Sequence, residues 1–220
     1  MIPFVALGDS ITAGLGATQA TLGYPPQLDR LLHGRSLFRS EVHGQVLAQP
    51  GWTSRDLVAA VWEAGTMPLR AAKVVIIWIG GDDLAYSGIT RLQGAPAQVV
   101  SRALTRYGKD LETLIRTVRT VGKANVVVCT QYNPFPNSPI ATEALSALNQ
   151  VTHTVAHQTH AALAPTDAWF EGRQTELIAG YRSGRLTDAL SSHPTPIHPN
   201  NRGHRVIAEG LASVLHPLLA

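Results

Sequence analysis

Apolar residues along the chain follow two periods. Five short runs read as strands: Ile2-Pro3-Phe4-Val5-Ala6-Leu7, a stretch within Glu41 to Ala48 carrying Val42, Val46 and Leu47, then Lys73-Val74-Val75-Ile76-Ile77-Trp78-Ile79, Asn125 to Thr130, and a weaker Ala161 to Thr166. The first, third and fourth are largely unbroken, as expected of parallel strands buried on both faces, and the third belongs at the centre of the sheet. Between the strands the period lengthens to that of helices. Leu28, Leu31 and Leu32 follow Tyr24-Pro25-Pro26, while Leu57, Val58, Val61 and Trp62 follow Thr53 or Ser54 as N-cap. A long stretch from about Pro96 to Val121 carries Val99, Val100, Ala103, Leu104, Tyr107, Leu111, Leu114, Ile115 and Val118 on one face and stops at Gly122. Pro139 to Ala161 forms the next helix, through Leu145, Leu148, Val151 and Val155, and Val206, Ile207, Leu211 and Val214 mark a closing one. Strands alternating with helices predict an α/β fold with five parallel strands between two helical layers, a three-layer α/β/α sandwich. Trp169 to Leu190 is helical but polar, interrupted by Gly172, Gly180 and Gly184, and reads as part of a cap over the site.

At 220 residues the chain suits one domain spanning 1–220. With 45% hydrophobic and 15% charged residues and no low-complexity tract, disorder is excluded. The net charge of +3 comes from scattered Lys and Arg, without the clustered basic stripe that a nucleic-acid partner requires. No apolar run approaches the ~20 residues that cross a bilayer, so integral membrane association is not expected. The first strand follows Met1 directly, which leaves no room for a signal peptide. The chain as given reads as cytoplasmic, and a processed secreted or spore-associated form would look the same. The single cysteine, Cys129, sits in an apolar run and reads as a small buried hydrophobe.

The chemistry begins at Gly8-Asp9-Ser10-Ile11-Thr12, just past the C-terminal end of the first strand, the edge at which open α/β sheets bind ligands. Asp9 and Ser10 also suit a helix cap or turn. Gly14 and Gly16 follow, without the Lys-Ser/Thr or the third glycine that would complete a phosphate loop. Past the second strand comes Gln49-Pro50-Gly51-Trp52, and past the third Gly80-Gly81-Asp82-Asp83. Before the last helix comes Ile197-His198-Pro199-Asn200, with Gly203-His204 shortly after.

These four blocks, in this order, resemble the GDSL (SGNH) hydrolases, esterases and lipases built on a flavodoxin-like five-stranded parallel sheet. The resemblance implies that Ser10 is the nucleophile and contributes its backbone N–H to an oxyanion hole. It implies that Gly51 adds a second N–H, that position 82 faces the oxyanion, and that His198 is the general base; Asp9 is grouped with Gly51 and Asp82 as an oxyanion or substrate-binding position. Gly51 is equally compatible with a turn that simply needs no Cβ. His193, also followed by Pro, is a weaker candidate for the base, and His204 reads as structural.

Two positions depart from the family pattern. Asp82 stands where the family has Asn, and an ionised carboxylate accepts hydrogen bonds but cannot donate one, so Asp82 either holds a proton or leaves the oxyanion to backbone donors. Thr195 stands where the family has the Asp that orients the histidine. A backbone carbonyl near Thr195 is the expected substitute, ahead of Asp167 or Asp188.

Tyr132-Asn133-Pro134-Phe135-Pro136-Asn137 is read both as a wall for an acyl group and as packing over the strand ends. His153, His157 and His160 share a helix face that reads as solvated, since no carboxylate or cysteine joins them. The implied activity is hydrolysis of small-molecule or lipid carboxylic esters, with short to medium acyl, lysophospholipid or acetyl-sugar substrates all compatible. No metal or organic cofactor is required. The rival reading is a binding module on the same fold, weakened or inactivated by Asp82 and Thr195.

Overall fold

The computed structural model describes residues 2–35, 43–96, 98–191 and 195–219. Strands β1 (Ile2–Gly8), β2 (Gln45–Ala48), β3 (Ala72–Trp78), β4 (Asn125–Cys129) and β5 (Ala162–Ala164) form one parallel sheet in the order β2-β1-β3-β4-β5. The helices are α1 (Tyr24–Arg35), α2 (Ser54–Ala64), α3 (Met67–Ala71), α4 (Gly81–Leu92), α5 (Gln98–Val121), α6 (Pro139–Gln158), α7 (Thr166–Phe170), α8 (Gln174–Leu177), α9 (Thr187–Ser191) and α10 (Asn201–Leu219).

The sheet separates two cores because neighbouring residues of a strand point to opposite faces. Val5, Leu7, Val75, Ile77, Val126 and Val128 pack with α2, α3, α5 and α6. Phe4, Ala6, Val74, Ile76, Trp78 and Val127 pack with α1, α7, α8 and α10 on the other side. Val74 to Trp78 are all fully buried, and each large apolar side chain there stabilises the fold by roughly 1.5–3 kcal/mol. Cys129 is buried in the second core, as its apolar surroundings predict.

In this order the chain leaves β1 towards β2 on one side and returns to β3 on the other, so the switch point lies between β1 and β3. The register pairs Gly8 with Ala48 of β2 and Trp78 of β3, which brings the turns after all three strands to one edge. Gly8 makes this approach possible: a Cβ there would lie 2.4 Å from the Trp78 carbonyl oxygen.

Several expectations change. β2 begins only at Gln45; Glu41 and Val42 lie outside the described residues. Helix α4 was not predicted, because Gly81 and Gly88 and the exposed Tyr86 and Ile89 blunt its apolar stripe. Trp62 is 61% exposed: the buried stripe of α2 runs through Leu57, Ala60 and Val61, and one further residue turns the indole to solvent. The segment 169–190 is more than a polar cap, since Phe170, Leu177 and Ile178 insert into the second core. No helix of the described residues is long and apolar enough to cross a membrane.

Candidate active site

Ser10 sits in a tight turn leaving β1. Asp9 is buried, and its Oδ1 accepts the Ile11 N–H at 3.0 Å, while Ala13 N–H donates to the Asp9 carbonyl and Leu15 N–H to that of Ser10, both at 2.9 Å. These bonds fix the turn beneath the half-buried Ser10. Across it, His198 Nε2 lies 2.9 Å from Ser10 Oγ, the reach at which a neutral imidazole accepts the hydroxyl proton.

His198 is carried by a loop between α9 and α10 and is pinned through its backbone. Ala179 N–H donates to the His198 carbonyl (2.9 Å), Asn200 N–H to that of Leu177 (2.8 Å), and Asn200 Nδ2 to that of Glu176 (2.8 Å). Ile178 and Pro199 form an antiparallel bridge. Tyr132, stacked on Phe170 at 4.2 Å, donates its hydroxyl to the Ile197 carbonyl at 2.5 Å. Tyr132 and Phe135 are both buried, which favours the packing reading of that aromatic loop.

The serine and histidine loops meet at Gly16. Its φ is +90°, and a Cβ would lie 2.2 Å from the Pro199 carbonyl oxygen and 2.9 Å from His198 Cβ. Only glycine permits that contact. The buried His204 braces the same junction: its Nδ1 accepts the Tyr24 N–H (3.3 Å) and its Nε2 donates to the Leu15 carbonyl (2.9 Å). Burial lowers its pKa to about 4, so it is a neutral strut, in keeping with the structural role expected of it.

Among the described residues no carboxylate joins the pair. Thr195 is half-buried and its carbonyl accepts the Ile197 N–H at 2.9 Å; among the described residues the His198 ring has no hydrogen-bond partner except Ser10 Oγ, so the carbonyl near Thr195 expected to orient it does not do so. Asp188 accepts from Ser183 N–H, Ser183 Oγ and Gly184 N–H, and Asp167 accepts from Thr130 Oγ at 2.6 Å. Both are engaged by these donors rather than by His198. His193 lies outside the described residues. Burial alone, with no anion to oppose it, holds the His198 pKa below its usual value.

On the other side of Ser10 stand the turns after β2 and β3. Gly51 has φ +84°, and the Tyr86 hydroxyl donates to its carbonyl at 3.3 Å, tying α4 to this turn. Among the described residues neither the Ser10 nor the Gly51 N–H donates to a protein acceptor. Asp82 lies in the first turn of α4. Burial, then the nearby Asp83 and Asp56, raise its pKa to about 6. Asp83 is engaged elsewhere, accepting Ser54 N–H and Ser54 Oγ, each at 2.7 Å. Asp9 is pushed up to about 8, chiefly by burial, which favours its neutral form.

Gln131 went unnoticed in the sequence. The Trp78 indole donates to its Oε1, and its backbone exchanges two hydrogen bonds with the Asn149 amide, at 2.7 and 2.8 Å. A Cβ on Gly81 would lie 2.5 Å from Gln131 Nε2, so α4 starts directly against this amide. The only available signal was a glutamine directly after an apolar strand.

His153 and His157 are exposed on α6, whereas His160 lies past the end of that helix with φ +50°, so the three do not share a helix face; among the described residues no three metal-ligating side chains converge on Ser10.

Residues 6–206 match the GDSL-like Lipase/Acylhydrolase family. A spore germination lipase of Bacillus licheniformis, LipC, is 24% identical over 216 residues, covering 96% of this chain and 94% of that protein. Among solved structures, a lipase from a goat rumen metagenome superposes with a TM-score of 0.80 at 23% identity, covering 97% of each chain. An acetylxylan esterase from Geobacillus stearothermophilus gives 0.70 at 18% identity, over 98% of this chain and 93% of that one.

Proposed function

The chain belongs to the GDSL-like Lipase/Acylhydrolase family, and from that premise we propose that it is a serine esterase working through a Ser10 acyl-enzyme with His198 as general base. The observation that carries this reading is the 2.9 Å separation of Nε2 and Oγ at the switch point of the sheet. The family makes the chain a carboxylic ester hydrolase.

The hypothesised cycle needs only this pair and the surrounding donors. His198 accepts the Ser10 proton as Oγ attacks the ester carbonyl carbon, and the negative charge that moves onto the carbonyl oxygen is met by the N–H groups of Ser10 and Gly51. The imidazolium returns its proton to the leaving alkoxide, which departs as an alcohol and leaves the acyl group on Oγ. Water then gives a proton to His198 and attacks the acyl carbon, and His198 returns that proton to Oγ as the C–O bond breaks, releasing the acid and restoring Ser10. Asp82 is a third donor only while it is protonated.

Short to medium acyl esters, lysophospholipids and acetylated sugars are the substrate classes to compare. The lipase and acetylxylan esterase named above motivate the first and last of these. The test is hydrolysis of p-nitrophenyl acetate and octanoate by the wild type beside Ser10→Ala and His198→Ala. Loss of turnover by about 10⁴-fold or more in both folded variants is expected. No turnover in the wild type, or turnover unchanged in Ser10→Ala, overturns the esterase and leaves a binding module.

A further inference from the structure

The catalytic turns occupy the C-terminal edge of the sheet. At the opposite edge, where β2 begins, lies a second cluster of chemically capable side chains. Asp29 and His33 are one turn apart on α1, and His43 stands two residues before β2. A carboxylate oxygen of Asp29 and one ring nitrogen from each histidine lie within 4.8 Å of one another.

Further contacts show that the cluster is built. Gly44 N–H donates to Asp29 Oδ1 at 2.8 Å, which turns Oδ2 towards His43, whose Nδ1 lies 2.6 Å away. Gly44 is fixed in turn by the core, since a Cβ there would lie 2.3 Å from the ring of the buried Phe4. His33 Nδ1 lies 2.8 Å from the Asp29 backbone carbonyl oxygen and 3.5 Å from Asp29 Oδ1, and the two imidazole rings are 5.0 Å apart, tilted by 40°. Asp29 and His33 are mostly covered, while the His43 side chain is 71% exposed, so the cluster is open to solvent on one side.

Two imidazoles and one carboxylate, with a backbone N–H orienting the carboxylate, form the donor set of a borderline divalent ion such as Zn²⁺, and a poor one for Mg²⁺ or Ca²⁺, which prefer all-oxygen ligands. We propose that Asp29, His33 and His43 form a Zn²⁺-class metal site that joins α1 to the start of the edge strand β2. The ion takes the place of the proton shared between Asp29 and His43, its open positions are filled by water, and its position at the far edge of the sheet removes it from ester hydrolysis. Its role is to tie α1 to an edge strand of only four residues.

The test is calorimetric titration of chelator-treated, untagged protein with Zn²⁺ and, separately, Mg²⁺. One equivalent of Zn²⁺ binds to the wild type and Mg²⁺ gives no heat. His43→Ala, a change at an exposed side chain, and Asp29→Asn, which keeps an acceptor for Gly44 N–H, each weaken Zn²⁺ more than tenfold. His157→Ala, on the exposed face of α6, leaves binding unchanged, and one equivalent of Zn²⁺ raises the Tm of the wild type but not of His43→Ala. Absence of Zn²⁺ binding in the wild type, unchanged affinity in His43→Ala and Asp29→Asn, or loss of binding in His157→Ala overturns the site.

Discussion

The two sides of the candidate active site are built by different means. The side carrying Ser10, Gly51 and Asp82 consists of turns leaving β1, β2 and β3, so its geometry is inherited from the register of the sheet. The side carrying His198 belongs to no strand. It is a loop held by backbone bonds to residues 176–179 and wedged against Gly16. Each side also departs once from the family pattern. At Asp82 the departure is chemical, because a proton converts the carboxylate into a donor. At Thr195 it removes a charge that no other described carboxylate replaces, and on the proposed mechanism the fixing of the loop backbone is what remains to orient the ring.

That contrast is broken most directly at the seam between the two sides. Gly16→Val sets side-chain atoms against the Pro199 carbonyl and His198 Cβ, so the two loops must part. We expect kcat to fall about 10²-fold, the cost of displacing a reacting group by roughly 1 Å, with a smaller change in KM. Steady-state kinetics on p-nitrophenyl acetate, with circular dichroism to confirm folding, measures this.

Thr195→Asp sharpens the comparison from the histidine side by returning an anion to the place where the family has one. If packing alone now orients the ring, the added carboxylate stabilises the imidazolium and raises kcat about tenfold, less than the about 10⁴ lost when the acid of an acid-dependent triad is changed. The His198 pKa, read from the acid limb of the pH–kcat/KM profile, rises at the same time.

Asp82→Asn tests the other side and has the smallest effect at low pH. Asp82 can donate only below its raised pKa of about 6, whereas His198 accepts a proton only when neutral, above its lowered one. The two requirements oppose each other as pH rises. Asn donates at every pH, so the variant equals the wild type within about twofold at pH 5 and exceeds it by about tenfold at pH 8, a fraction of the 10²–10³ that one oxyanion donor contributes. A constant ratio across that range would show that Asp82 does not face the oxyanion.

The same division explains what the sequence revealed. The strands, their parallel arrangement and the blocks at their ends were legible because burial on both faces writes unbroken apolar runs, and turns that leave buried strands fall at fixed offsets. Helix α4 was hidden because its glycines and exposed apolar residues leave no clean stripe. The clamp on His198 was hidden for another reason: Ala179 with His198 and Asn200 with Leu177 bond through backbone atoms across about twenty positions, and backbone atoms carry no sequence signature. Gly16 was visible as a glycine, but its reason, the approach of Pro199, was not. Asp29, His33 and His43 show only an i, i+4 pair and a distant third member, which the topology then joins.

On the proposed mechanism His198 alone, with no carboxylate behind it among the described residues, makes Ser10 nucleophilic. The most direct measurement is the rate of covalent labelling of Ser10 by diisopropyl fluorophosphate, followed by intact mass. One adduct per chain is expected in the wild type, none in Ser10→Ala, and labelling slowed at least a hundredfold in His198→Ala. An adduct that forms in Ser10→Ala, or at the wild-type rate in His198→Ala, would contradict that mechanism.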